Sequence, residues 1–478
     1  MEYLAERKAG KLMGIMSGLL VLLGIFWLSV EFPEAFQHQM DSQGSHSSWP
    51  DPHLASHCAS TSPIRHSEYL ARQTSLARTL HSLGAKAYIA EPGANTQFFA
   101  NFSKAQWTLS ERPLLLVISP ITKDGQTQVL PEVTILTPKF EATRARTLPI
   151  PSPGRPIKYI EWSEEADPYV ALLSALTLLD RPSPGEHVKV FVDNSIRKFI
   201  VDGLQRASGT DHTLSTNSPS CCINATYFEH LTLQVLSAPF EITQLRERKS
   251  EDELRILKCA NEATLLAIRD VHKKLYPGIR ESQARTMMAL ALGAAGLKDG
   301  GCLTLFGENA ALPHGSGTDR TLAPTDFALF DCTASLHEYY SDVTRTVSLT
   351  SKLSPEQRTV WSLVQAAQAA ALQMARNGTR TRDVDSVARA VIGAGGYEKY
   401  FTHRLGHGIG LEVHEQPYLR GGSDDIINIG HTFSDEPGIY IEGKVGVRLE
   451  DCFFINEDGV GIYLTEGVGG ASVLPWLP

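Results

Sequence analysis

The sequence predicts an α/β protein of two globular domains behind one membrane-spanning segment. Three observations carry that expectation: a length of 478 residues, more than one ordinary core fills; helical and strand patterns alternating from about residue 63 to 240; and a second capped helix start at Ser250.

The elements follow in chain order. Leu12 to Val30 is an uncharged stretch of nineteen residues, which as a helix spans about 28 Å, close to a bilayer's hydrocarbon core. Arg7, Lys8 and Lys11 precede it while Glu31 and Glu34 follow, so residues 1–11 read as a cytosolic tail and 12–30 as the anchor of a single-pass type II protein. The catalytic part would then be lumenal or extracellular. The competing reading is a cleaved signal peptide, but the apolar run exceeds a usual h-region and no A-x-A site follows. Residues 31–62 are rich in Ser, His, Gln and Pro without apolar periodicity, which predicts an exposed stalk with His38, His46, His53 and His57 solvated.

In the region 63–240, Tyr69, Leu76, Leu80 and Leu83 recur at helical spacing before Gly84, a candidate C′ residue. Strand-like runs come next at Leu114–Ile118, Val133–Leu136, Ile157–Ile160 and Val188–Val192, with a helix start at Asp167-Pro168. No nucleophile, phosphate loop or ligand cluster occurs there, so this domain reads as structural or as one wall of a substrate pocket. The domain 241–478 opens with the capping box Ser250-Glu-Asp-Glu253. Ser354-Pro355-Glu-Gln357 starts another helix.

A net charge of -9 without a Lys/Arg run argues against nucleic acid as a partner. Three sequons, at Asn101, Asn224 and Asn377, fit a secretory route. Seven cysteines cannot all pair internally. Cys58 has candidate partners in Cys221 and Cys222, whereas Cys259, Cys302, Cys332 and Cys452 sit in apolar patterns and read as buried free thiols.

The chemistry lies in the second domain. Phe327-Ala-Leu-Phe-Asp331 ends an apolar strand on a carboxylate, and Asp342 follows eleven residues later. Two strands joined by a turn would bring the acids together, and buried carboxylates need a counter-charge. Arg345 could supply one; a divalent ion supplies more. His403-Arg-Leu-Gly-His407 has the spacing of a zincin motif, but Gly406, Gly408 and Gly410 oppose the helix such a motif needs, and Arg404 stands where its Glu belongs. A glycine-rich turn presenting His407 fits better. Ser434-Asp-Glu436-Pro-Gly and Val447-Arg-Leu-Glu450-Asp each read as a short strand bearing an inward acid. Four carboxylates and one imidazole suit two hard or borderline divalent ions.

These segments together resemble the methionine aminopeptidase and prolidase family, peptidase family M24. Asn309-Ala-Ala-Leu-Pro-His314-Gly, Asp331 with Asp342, GHGIGLEVHE from Gly406, EPGIY from Glu436 and GVRLED from Gly446 match it in order over residues 240 to 470. The resemblance implies a pita-bread catalytic fold behind a creatinase-like N-terminal domain. It implies that Asp331, Asp342, His407, Glu436 and Glu450 bind two metal ions, Mn²⁺ first, with Co²⁺ or Zn²⁺ as alternatives. It further implies that His314 and His414 flank the scissile amide, that Glu436 carries a proton, and that Arg448 helps hold a substrate carboxylate. A peptide substrate, in particular one with an Xaa-Pro bond, and a homodimer belong to the same expectation. Thr333 and the Ser434-Asp435 pair depart from the family's usual residues, and strand alternation predicts that Asp435 faces away from the metals. An inactive binding module of the same fold is the alternative; retention of all five ligands counts against it.

Overall fold

The computed structural model describes residues 50–122, 128–152, 154–176, 187–208 and 232–478. The apolar stretch 12–30, Cys221, Cys222 and Asn224 lie outside them. Among the described residues no helix is long and apolar enough to cross a membrane.

The amino-terminal half is organised by a six-stranded mixed sheet in the order β4-β3-β2-β1-β5-β6. Its strands are β1 Ala85–Ala90, β2 Leu115–Thr122, β3 Val129–Pro138, β4 Lys158–Trp162, β5 His187–Val192 and β6 Thr232–Ser237. The four apolar runs read from the sequence are β2 to β5. Leu115 to Ile118 are all buried, because helices cover the sheet and leave such a strand no solvent face. The helix His66–Ser82 stops where Gly84 takes φ 64°, a left-handed turn that suits glycine. Asp167 caps the helix Pro168–Ala175, accepting from the N–H groups of Tyr169 and Val170 at 2.7 and 3.1 Å.

The carboxyl-terminal half holds three sheets. The first is β7 Lys298–Phe306, β8 Phe327–Leu336 and β9 Tyr339–Ser348; the others use β10 Gly406–Gly408, β11 Glu415–Leu419, β12 Thr432–Asp435, β13 Gly438–Ile441, β14 Val445–Arg448, β15 Asp451–Ile455 and β16 Gly461–Tyr463. One is five-stranded, β11-β10-β12-β15-β16, and one is the hairpin β13-β14. A mutual bridge between Thr344 and Glu450 joins β9 to the strand end ahead of β15. Helices Glu251–His272, Glu281–Ala294, Pro355–Met374 and Thr381–Ala394 cover these sheets. Both expected capping boxes form: the Ser250 hydroxyl accepts from the Glu253 N–H and Glu253 accepts from the Ser250 N–H, with the same exchange at Ser354 and Gln357.

Two expectations are corrected. The end of the supposed stalk is packed: Leu54 and Cys58 are buried in a short helix and its cap, and His57 meets Glu262 at 2.9 Å. Amphipathic patterning is invisible in a helix of five residues. Cys58 is disulfide-bonded to Cys259 and Cys302 to Cys332, leaving Cys452 as the free buried thiol among the described residues. Cys302 and Cys332 are directly opposed in the β7–β8 register, a pairing set by topology rather than by any local signal.

The two halves meet around Arg246, Glu247 and Lys249. Arg246 pairs with Glu412 and with Glu415 at 3.3 Å, and it donates to Asn95 of the first half at 2.9 Å. Burial pushes the Glu247 carboxyl up from 4.5 to about 7, against the pull of Lys249, with Asp425 and Glu415 adding to the rise. A carboxyl whose folded pKa is raised favours the folded state below its unfolded value, and that advantage disappears as pH climbs to about 7. Glu247→Gln is therefore expected to flatten the loss of stability between pH 5 and 8 by ~2 kcal/mol, read from urea midpoints at the two pH values.

Candidate metal centre

In the β8–β9 hairpin Asp331 pairs with Thr344 and Asp342 with Thr333. The two acids are thus diagonal neighbours on one face of the ladder. Thr344 is also bridged to Glu450 through N–H···O contacts of 3.0 and 3.3 Å, which brings the third acid beside them. His407 sits in β10, where Gly406 lets the chains close up: a Cβ there would lie 2.0 Å from the Ser434 carbonyl oxygen. Glu436 follows β12 directly.

The side chains converge. Ligand atoms of Asp342, His407 and Glu450 lie within 4.8 Å of one another. His407 Nδ1 donates to the Gly408 carbonyl at 3.0 Å, which turns Nε2 toward the cluster. Nε2 is 3.2 Å from Glu436 Oε1 and 3.7 Å from Asp342 Oδ2. Glu450 Oε2 accepts from the Thr344 hydroxyl at 2.6 Å, while Oε1 is buried without a partner. Asp331 uses Oδ2 to accept from Arg448 at 2.5 Å.

The electrostatics explain what this arrangement demands. Burial, then the carboxylates of Asp331 and Glu436, push Asp342 well above the usual range. Burial, followed by Asp342, Glu436 and Asp331, does the same to Glu450. Burial opposes ionisation of Glu436 too, but the hydrogen bond to His407 and the charges of His407, His403 and Arg448 hold it at about 2. A desolvated group of acids with one orphaned oxygen and an imidazole edge aimed at the same space fits divalent cations. Because Thr344 orients Glu450, Thr344→Val is expected to weaken metal affinity about 10- to 100-fold, measured by competition with a fluorescent chelator.

The remaining expected residues divide. His414 packs edge-on against His407, ring centres 4.2 Å apart. Burial, then the positive charges of His407 and Arg404, lower its pKa, so the ring is neutral at pH 7. His314 is exposed, in the loop after the turn Gly307–Ala311. Arg448 is 3 % exposed and its guanidinium donates to Asp331, Tyr440 and Thr344. Arg345 does not neutralise Asp331 or Asp342; it pairs with Asp451. Asp435 does face away, hydrogen-bonded by Tyr463 at 3.1 Å.

Sequence reasoning missed Thr344, Ser434, Tyr440 and His403 as parts of the site. The Tyr440 hydroxyl is 2.9 Å from Arg448 and 2.8 Å from His403 Nε2, and the Ser434 hydroxyl lies between the His407 N–H and Glu436. Tyr440 was legible within EPGIY; the two hydroxyls carry no signal of their own.

The model of metallopeptidase family M24 matches residues 255–457. An uncharacterized peptidase of Schizosaccharomyces pombe is 36% identical over 409 residues, covering 84% of this chain and 82% of the relative. The Xaa-Pro dipeptidase of Lactobacillus helveticus is 33% identical over 271 residues, covering 55% and 73%. Among solved structures, the dipeptidase PepE of Mycobacterium ulcerans superposes with a TM-score of 0.68 at 28% identity, over 84% of this chain and 97% of the other. The prolidase of Thermococcus sibiricus gives 0.65 at 25% identity, over 84% and 98%. With a matching family model, relatives of this similarity and the pita-bread architecture in common, the chain belongs to metallopeptidase family M24.

Proposed function

We propose that this peptidase hydrolyses Xaa-Pro bonds, in dipeptides or at the N-terminus of peptides, with two divalent ions held by Asp331, Asp342, His407, Glu436 and Glu450. The observation that carries the reading is the convergence of Asp342, His407 and Glu450 around the unpartnered Glu450 oxygen. Bound divalent ions supply a water acidic enough to be hydroxide near neutral pH and a Lewis acid for the scissile carbonyl. Manganese is the first choice, cobalt or zinc the alternatives.

The chain's own residues provide the rest. Glu436, ionised and at the edge of the cluster, takes the proton of the attacking water and returns it to the leaving nitrogen. His414, neutral and beside His407, donates to the substrate amide, and His314 closes the opposite side from its exposed loop. The Xaa-Pro preference is supported by the relatives named for it in Lactobacillus and Thermococcus. The protein acts as a homodimer on the lumenal or extracellular side of a membrane, anchored through residues 12–30. An oxidising compartment suits the two disulfides among the described residues, and Asn377, exposed in a turn, suits a glycan. Metal analysis of the purified protein with an Xaa-Pro cleavage assay tests the reading. About two ions per chain and manganese-dependent cleavage are expected; an inert, metal-free protein supports the binding module instead.

A further inference from the structure

An Xaa-Pro dipeptide ends in a carboxylate next to its proline ring, and the site needs a cation to receive it. Arg448 is enclosed and already engaged with Asp331, Tyr440 and Thr344. Another guanidinium is better placed. In the β10–β11 ladder His407 is directly opposite Tyr418, and opposed residues of an antiparallel pair project from the same face. The Tyr418 ring therefore lies on the metal side of the sheet. Arg404 stacks over that ring, its guanidinium carbon 4.8 Å from the centroid, and Arg420 approaches the same ring at 5.7 Å.

Arg404 has no carboxylate partner among the described residues, and its Nε is buried without a hydrogen bond. It follows His403 and stands three residues before His407 in sequence. A guanidinium over an aromatic ring with no acid partner keeps its fork of donors free, and that fork can receive a carboxylate by two parallel hydrogen bonds. A partly buried cation left without an acid partner is accounted for if the anion arrives with the substrate.

We propose that Arg404, stacked on Tyr418, binds the terminal carboxylate of an Xaa-Pro dipeptide and makes the enzyme prefer dipeptides to longer or amidated substrates. The proposal rests on the Xaa-Pro reading above and adds a residue that sets substrate length. Arg404 is a specificity-determining residue here; the reacting atoms lie with the metals.

The test compares an Xaa-Pro dipeptide with its C-terminal amide on the full-length, manganese-loaded protein, for the wild type, Arg404→Met and Arg404→Lys. The wild type should favour the free acid at least 10-fold in kcat/KM, mainly through KM. Arg404→Met should bring the ratio near one with metal content unchanged, and Arg404→Lys should retain part of it. A wild-type ratio kept by Arg404→Met, or both substrates slowed equally, overturns the proposal. Should the wild type cleave neither substrate, the Xaa-Pro reading itself fails. Calorimetry of proline against prolinamide then still decides the subsite: tighter proline binding lost in Arg404→Met supports it, and equal binding by both proteins overturns it.

Discussion

Asp342→Ala and Glu450→Ala should each lower kcat/KM at least ~1,000-fold, about 4 kcal/mol of activation free energy, by removing a ligand on which the metal-bound water depends. Loss of function is only half of the expected result. In the metal-free protein Asp342 and Glu450 are buried among like charges, so deleting either relieves repulsion, offset at Glu450 by the lost hydrogen bond from Thr344. The metal-free Asp342→Ala protein should therefore melt no lower than the metal-free wild type, and metal-free Glu450→Ala close to it. Added Mn²⁺ should raise the melting temperature of the wild type and leave the variants nearly unmoved, since only a protein that binds the ion gains from its concentration. Thermal melts with and without metal, alongside initial rates, check both halves. A variant that melts early in the absence of metal would show that these acids serve the fold.

Arg345→Met should be the most damaging single change to stability away from the ligands, at about 3–5 kcal/mol. Arg345 and Asp451 are both fully buried and pair at 2.8 Å. The guanidinium also donates to the carbonyls of Thr344, Glu450 and Gly470 at 3.0, 2.7 and 3.0 Å. It thereby ties β9, the Glu450 segment and the C-terminal turn together from behind the metal centre. Removing it strands the Asp451 carboxylate, which keeps hydrogen bonds from Gln368 and Thr465 but no cation among the described residues. Pairing Arg345→Met with Asp451→Asn removes that stranded charge and should recover part of the loss. Urea unfolding of the single and double variants measures it.

Much of the site was legible because it is made of charges placed where strands should be apolar. Asp331, Asp342 and Glu450 stand within strand-like segments, Glu436 ends one ahead of Pro-Gly, and His407 stands among glycines that make no sense in a helix. Local signals also placed the helix starts at Asp167, Ser250 and Ser354, since a cap is a contact between residues three apart or fewer. What the chain hides is pairing across distance. Neither the disulfide joining Cys58 to Cys259 nor the link from Arg345 to Asp451 has a trace in spacing. The same holds for Arg448. The resemblance implies contact with a substrate carboxylate, and only the fold shows its guanidinium engaged with Asp331 and Tyr440. Arg404 is the converse, unremarkable in sequence except as the residue that spoils a zincin motif. Only the ladder that sets Tyr418 opposite His407 shows which way it leans.

Whether Asp331, Asp342, His407, Glu436 and Glu450 hold a pair of ions is decided by anomalous diffraction from crystals of the protein equilibrated with Mn²⁺. Two peaks bounded by those five side chains, with the Glu450 oxygen now free of partners in contact with one of them, are the predicted outcome. Manganese density elsewhere, with the carboxylates of Asp342 and Glu450 left without a cation, would contradict it.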